Sequence, residues 1–207
     1  MKRSELPIDN YGTFGKNKTM ARRKSIDDDQ LIQRLTEVFQ TYGYEGSSLG
    51  RISEATGLQR ASLYHRFPKG KLAMAEAVLD HAAQKVVNDV LAPLSTSQPA
   101  RARFEGMAEE IDHFYTGGKM SCLIDSMSFA GSEDSLHQRV ESSLTVWTEA
   151  MADVCREAGI PAPEARQRAI EAMIRIQGSL VFARATRDTE PFQRTLERLP
   201  DLLLRTS

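Results

Sequence analysis

Seven consecutive positions, 59 to 65, concentrate side chains suited to meeting a polyanion. Gln59, Arg60, Ser62, Tyr64 and His65, with the small Ala61 among them, fall on or near one face of a short segment expected from about Arg60 to Phe67. Leu63 and Phe67, four apart, face the other way and anchor it to a core. Amide, guanidinium, hydroxyl and imidazole groups donate to phosphate oxygens and base edges, and arginine is matched to guanine. A helix of about two turns is the right probe for a major groove about 12 Å wide. The alternative for Tyr64 is a partly buried ring, and for His65 a plain surface side chain.

Other chemistry is poorly represented. Residues 46–50, GSSLG, match G-x-S-x-G in form, but that motif needs a strand-turn-helix context, and here it follows a helix. No HExxH, phosphate-binding loop or dinucleotide fingerprint occurs. Cys122 and Cys155 have no metal-ligand spacing and fit a reducing compartment. The expectation is a protein that is not an enzyme, with no cofactor and no metal site.

Helices must position the polar face. Asp27–Asp29 suit a helix start, where a side-chain oxygen caps free N–H groups and negative charge meets the positive end of the dipole. Leu31, Leu35, Val38, Phe39 and Tyr42 then form one apolar stripe, stopped by Gly43. A second helix runs from Ser47 or Ser48 to Gly57, where the chain needs a left-handed residue to leave the helix. After the Arg60–Phe67 segment, closed by Pro68 and Gly70, a fourth helix is expected from Lys71 to about Leu91. Further helices are expected at about Ala100–Tyr115, Cys122–Ala130, Leu136–Ala158, Pro163–Thr186 and Pro191–Leu204, with breaks at Pro93 and Gly117–Gly118. No strand alternation is present, so the class is all-α.

The block 47–68, SSLGRISEATGLQRASLYHRFP, with the preceding helix carrying Phe39, the YGYEGSSL link and a lysine after LYHRF, resembles the tetracycline-repressor (TetR) family of regulators over about 65 residues. The resemblance implies an N-terminal three-helix, helix-turn-helix DNA-binding domain and a larger C-terminal helical domain that binds a small molecule and dimerises. On this chain the division is 1–24 as a flexible basic arm, 25–71 as the DNA-binding domain and 72–207 as the ligand-binding and dimerisation domain. Partners implied are a pseudo-palindromic double-stranded DNA operator, an unidentified small-molecule inducer and a second copy of the chain. The function implied is ligand-released repression; a helix-turn-helix activator and a helical dimer that does not bind DNA are the alternatives.

Family positions carry over residue by residue. Ser48 stands where a Ser or Thr caps the second helix and touches phosphate, Tyr64 at a phosphate-contacting tyrosine, and Lys71 at a phosphate-contacting lysine, with Lys69 as the alternative. Gln59, Arg60, Ala61, Ser62 and His65 occupy the recognition surface. Gln59 departs from the usual capping Ser or Thr and is a poorer cap. Arg51 and Arg66 either add phosphate contacts or cover the helix surface.

The back half resembles one branch of the family more weakly, through KMSCLIDSM, Trp147, Gly159 and IQGSLVFARATRDTEPF. Its last two long helices are expected to form a four-helix dimer interface, with Gly178 and Ser179 permitting close approach and Leu180, Phe182 and Ala183 packing on the partner. Methionine and aromatic side chains line adaptable pockets. Phe114, Met120, Cys122, Met127, Trp147, Met151, Met173 and Gln177 are therefore the cavity candidates, with Phe104, Met107 and Phe129 beside them. For each one alone, ordinary core packing is the competing role, and Cys122 is read as a buried structural thiol.

Charge is uneven. Residues 1–90 hold 14 Lys/Arg against 11 Asp/Glu, and residues 91–207 hold 13 against 17. A polyanion therefore meets the front half. Chance scatter over a solvated surface gives the same counts. No apolar run reaches the roughly 20 residues of a membrane span, and the N-terminus lacks the apolar centre of a secretory signal. The expected location is cytoplasmic, with no membrane partner.

Overall fold

The computed structural model describes residues 26–128 and 134–205. The arm expected over 1–24, including Arg22, Arg23 and Lys24, lies outside the described residues, as does Phe129. The fold is all-α: ten α-helices and no strand occur among the described residues.

The first helix, α1 (Asp28–Gly46), starts because Asp27 accepts from the Gln30 N–H at 2.7 Å and Asp28 and Asp29 occupy its first turn. Leu31, Leu35, Val38 and Phe39 are buried as expected. The regular helix breaks at Gly43, whose φ of 65° is available to glycine without a Cβ penalty. One further turn completes the helix, and the break changes which tyrosine goes inside. Tyr44 is buried and stacks on Phe39, ring centroids 6.4 Å apart, while Tyr42 stays half exposed beneath the Arg51 guanidinium.

Next come α2 (Leu49–Thr56), α3 (Arg60–Arg66) and α4 (Lys71–Lys85). The fourth helix, expected to run to Leu91, passes instead at Val86–Val90 into one turn of π-helix, closed by the Leu91 N–H donating to the Val86 carbonyl at 2.9 Å. A short 3-10 turn, Ala92–Ser95, then contains Pro93.

The remaining helices are α5 (Ala100–Phe114), α6 (Leu123–Ser128), α7 (Asp134–Glu157), α8 (Ala162–Thr186), α9 (Glu190–Glu197) and α10 (Leu199–Leu204). At the expected glycine break after α5, a Cβ on Gly118 would lie 2.8 Å from the Phe192 ring, so that position requires glycine. The single helix expected over 191–204 is two, divided at Arg198. Pro200 supplies no N–H, and its ring clashes with a helical carbonyl four residues back.

Two apolar cores result. The first joins α1, α2, α3 and α4 through Phe39, Ile52, Leu63 and Val78, and also draws in Leu123 and Met127 of α6 and Leu136 and Val140 of α7. The second packs α5, the later turns of α7, and α8 to α10 around Phe104, Trp147, Ile176 and Phe192. The rod formed by α4 and the π-turn thus serves both: Met74 and Val78 of α4 belong to the first core, while Val86 and Val90 of the π-turn belong to the second.

Candidate nucleic-acid interface and interhelical cavity

The face expected to meet DNA begins with its supports. Ser48 Oγ accepts the Arg51 N–H at 3.3 Å and caps α2, so this serine has a capping role in place of a nucleophile's. Gly57 ends α2 in the left-handed conformation, φ 70°. Arg34 of α1 donates to the carbonyls of Ala55 and Thr56 at 3.2 and 3.3 Å, which would otherwise be left open at the end of α2. Ile52 and Leu63 are completely buried, which fixes the roll of α2 and α3. Gln59 makes no side-chain cap bond to α3, as its residue type implies.

With Leu63 inside, Gln59, Arg60, Ala61, Ser62, Tyr64 and His65 are all exposed. The polar members make no side-chain hydrogen bond or ion pair with the described residues. Tyr64 is 46% exposed, and its ring lies over Gly70, where a Cβ would come within 3.2 Å of it. Glycine thus lets the loop pass close behind the ring and hold it outward.

The neighbouring cations divide. Arg66 bonds Asp28 at 3.0 Å and the Ile26 carbonyl at 3.1 Å, tying α3 to the start of α1. Arg51 donates to the Gly46 carbonyl and covers Tyr42. Lys71 sits at the start of α4 with Nζ donating to the Tyr44 carbonyl at 2.9 Å, 4.1 Å from the Tyr44 ring centroid. Lys69 is exposed and has no partner among the described residues.

A cavity of about 400 Å³ lies where α1, α4, the π-turn, α5, α6 and α7 meet. Phe114, Met120, Cys122 and Trp147 line it, as the sequence suggested. The other four candidates do not. Met127 is buried in the first core, and Met151 and Met173 in the second. Gln177 lies behind the wall, beside the Tyr115 hydroxyl and the Cys122 thiol. Phe104 and Met107 are likewise interior to the second core. Residue type alone separates a buried methionine from a cavity methionine poorly, because both are apolar sites.

The wall also contains residues that residue-type reasoning missed. Thr36 and Gln40 come from α1, Val86 and Val90 from the π-turn, and Tyr115 and Arg139 from α5's end and α7. Tyr115 Oη and Cys122 Sγ lie 3.3 Å apart. Burial holds the Tyr115 hydroxyl well above its ordinary range and pushes the Cys122 thiol up, so both are neutral. Cys122 is therefore no thiolate nucleophile. No group of three or more metal-ligating side chains occurs among the described residues.

A third surface runs along α8. Ile174, Val181 and Phe182 are 65%, 49% and 55% exposed, and Gly178 between them faces open space. This corrects the expectation for Leu180 and Ala183, which are buried within the chain. They lie on the opposite side of the helix, facing the second core.

Comparison with known proteins places these features. Residues 31–78 match the family model described as bacterial regulatory proteins, tetR family. Residues 98–198 match the C-terminal domain described as transcriptional regulator LmrA/YxaF-like. The HTH-type transcriptional regulator LmrA of Bacillus subtilis is 23% identical over 187 residues, covering 86% of this chain and 96% of that protein. An uncharacterized HTH-type regulator of Mycobacterium tuberculosis, Rv0196, is 21% identical over 188 residues, covering 85% and 93%. Among solved structures, a TetR regulator from Legionella pneumophila superposes with a TM-score of 0.76 at 17% identity, covering 84% and 96%. The regulator CifR, in an experiment that included its 26-base-pair operator DNA, superposes at 0.69 with 22% identity, covering 86% and 98%.

Proposed function

The chain belongs to the TetR family of bacterial transcriptional regulators, which are not enzymes, and from that premise we propose that it is a dimeric repressor released from its operator by a small molecule. The observation that carries the reading is the unpartnered polar face of α3. Arg60, Ser62, Tyr64 and His65 stand exposed on a helix that Leu63 fastens from behind. Such groups find their complement in phosphates and base edges. Gln59 and Ala61 complete the contact surface, while Ser48, Lys71 and the free Lys69 flank it toward the backbone.

In this reading residues 25–71 read DNA and residues 72–207 sense and dimerise. Two α3 helices enter successive major grooves about 34–36 Å apart, which calls for a two-fold dimer and a pseudo-palindromic site. The apolar face of Ile174, Val181 and Phe182 on α8 supports that dimer, since exposed apolar patches mark protein interfaces. The cavity supports the inducer. A guest releases DNA only by binding one arrangement of the dimer better than the other.

The test is selection of duplexes from a random pool by the full chain, followed by gel shifts across a salt series. A pseudo-palindromic duplex is expected, with affinity falling steeply as salt rises. No selection, or binding indifferent to salt, overturns the reading. Phe182→Glu on the α8 face is expected to yield monomers in sedimentation and to weaken operator binding.

A further inference from the structure

The cavity is walled partly by the DNA-reading half of the molecule. Gln40 of α1 donates from Nε2 to the Ser121 carbonyl at 2.9 Å, and Ser121 Oγ donates to the Gln40 carbonyl at 3.0 Å. These residues are 81 positions apart, and both line the cavity. The same α1 caps α2 through Arg34 and is tied to α3 through Arg66. One helix therefore seats the recognition helix and forms part of the cavity wall.

Electrostatics restrict the guest. Lys85 meets Asp89 at 3.1 Å, Glu110 faces His113 at 4.0 Å, and Arg139 meets Asp80 at 2.8 Å and Glu76 at 3.6 Å. Lys85 and Asp89 thus satisfy each other and Arg139 is held by two carboxylates, while the interior of the wall is formed by the Phe114 ring, the Trp147 indole, Val86 and Val90. An ionic guest seated against the buried Trp147, Val86 and Val90 would bring in a charge with no counterpart there, which is costly away from water. Gln40 Oε1 and Ser143 Oγ make no hydrogen bond with the described residues, so neutral hydrogen-bonding capacity remains on the wall.

We propose that the cavity takes an uncharged, largely apolar molecule whose hydroxyl, amide or aryl amine reaches the Gln40–Ser121 pair, and that this pair transmits occupancy to α1 and so to the DNA-reading helices. The inference rests on the regulator reading above.

Trp147 is the single tryptophan of the chain and lies in the cavity wall, so energy transfer from it reports a naphthyl probe bound there. Two probes share a skeleton: neutral phenylnaphthylamine and the anionic anilinonaphthalenesulfonate. The neutral probe is expected to bind about tenfold or more tightly than the sulfonate. A duplex selected by the full chain should weaken its binding roughly 5- to 150-fold, the usual span of site-to-site coupling. In Gln40→Met with Ser121→Ala that ratio should fall below about twofold, whatever happens to either affinity alone. Ser121→Thr, which keeps the hydroxyl, should preserve it. Should the double variant fail to fold, Ser121→Ala alone removes one of the two bonds and gives an intermediate ratio. Tighter binding of the sulfonate, no transfer from Trp147, or an unchanged ratio in the folded variants overturns the proposal. A selected duplex that leaves the probe unaffected overturns it while sparing DNA recognition. Failure to select any duplex removes the regulator reading and this inference together.

Discussion

At α3, five polar side chains point to solvent and bond to nothing else in the described chain, whereas around the cavity Lys85 pairs with Asp89 and Arg139 with Asp80 and Glu76. The difference stems from what each surface meets. A polyanion supplies its own charge and many acceptors, so the helix that meets it works best with free donors. Around the cavity the charged side chains sit at its partly exposed rim, where they pair with one another, and the buried interior is left to apolar surface and neutral polar atoms. The two regions also differ in support. The face of α3 is held by one fully buried leucine, the Arg66 tie to α1 and the partly buried Phe67, while the cavity is bounded by six elements.

That contrast can be broken most directly at Leu63. It is fully buried beneath α3, and truncation of such a leucine costs about 2–5 kcal/mol. Leu63→Ala is expected to lower stability by about 3 kcal/mol in urea titration and to abolish operator binding. Intact DNA affinity in that variant would show that α3 is held by something else. Arg60→Ala removes a free donor and leaves the fold untouched. It should weaken specific binding by about 1–3 kcal/mol in fluorescence anisotropy, with unchanged thermal unfolding. Loss of stability instead would place Arg60 among the structural arginines.

A smaller effect is expected at Arg34, whose guanidinium closes the end of α2. Arg34→Ala should cost about 1 kcal/mol or less, the scale of a cation at a helix C-terminus, readable as a shifted urea midpoint. The smallest change concerns the thiols. Burial pushes Cys155 up to about 11 and raises Cys122 as well. Each thiol is thus harder to ionise folded than unfolded, so the neutral forms contribute stability below the unfolded value near 9 that is lost as pH rises toward about 11. Iodoacetamide at neutral pH should modify neither cysteine in the folded chain and both in urea. Rapid labelling of the folded protein would mean that the second core opens.

Legibility in the sequence tracks the same divide. The polar face at 59–65, the Ser48 cap, the Gly57 turn and the Leu63 anchor depend on residues a few positions apart, so their roles could be read locally. The cavity joins Gln40 to Ser121 and Val86 to Trp147, neighbours that only the folded chain creates. Picking soft and aromatic side chains found Phe114, Met120, Cys122 and Trp147, but also took in Met127, Met151 and Met173, which satisfy the same chemical description from inside the cores. One boundary and one buried position failed for local reasons that were present in the sequence. Pro200 divides the last helix, and Gly43 turns Tyr44 inward in place of Tyr42. The faces of α8 were assigned the wrong way round at Leu180 and Ala183, because apolar residues nearly surround that helix and give its rotation little signature.

The π-turn at Val86–Val90 sets the rotational phase of everything that follows it. Its wider ring holds one residue more than an α-turn and changes the phase of the chain downstream. Removing a residue there, for example the half-exposed Val87, would restore ordinary pitch and swing the segment beyond it by about 100°. Val90, Leu91 and Leu94 would then leave the second core. Length changes in this stretch are consequently far less tolerable than changes of residue type, although it ends a helix and borders a loop.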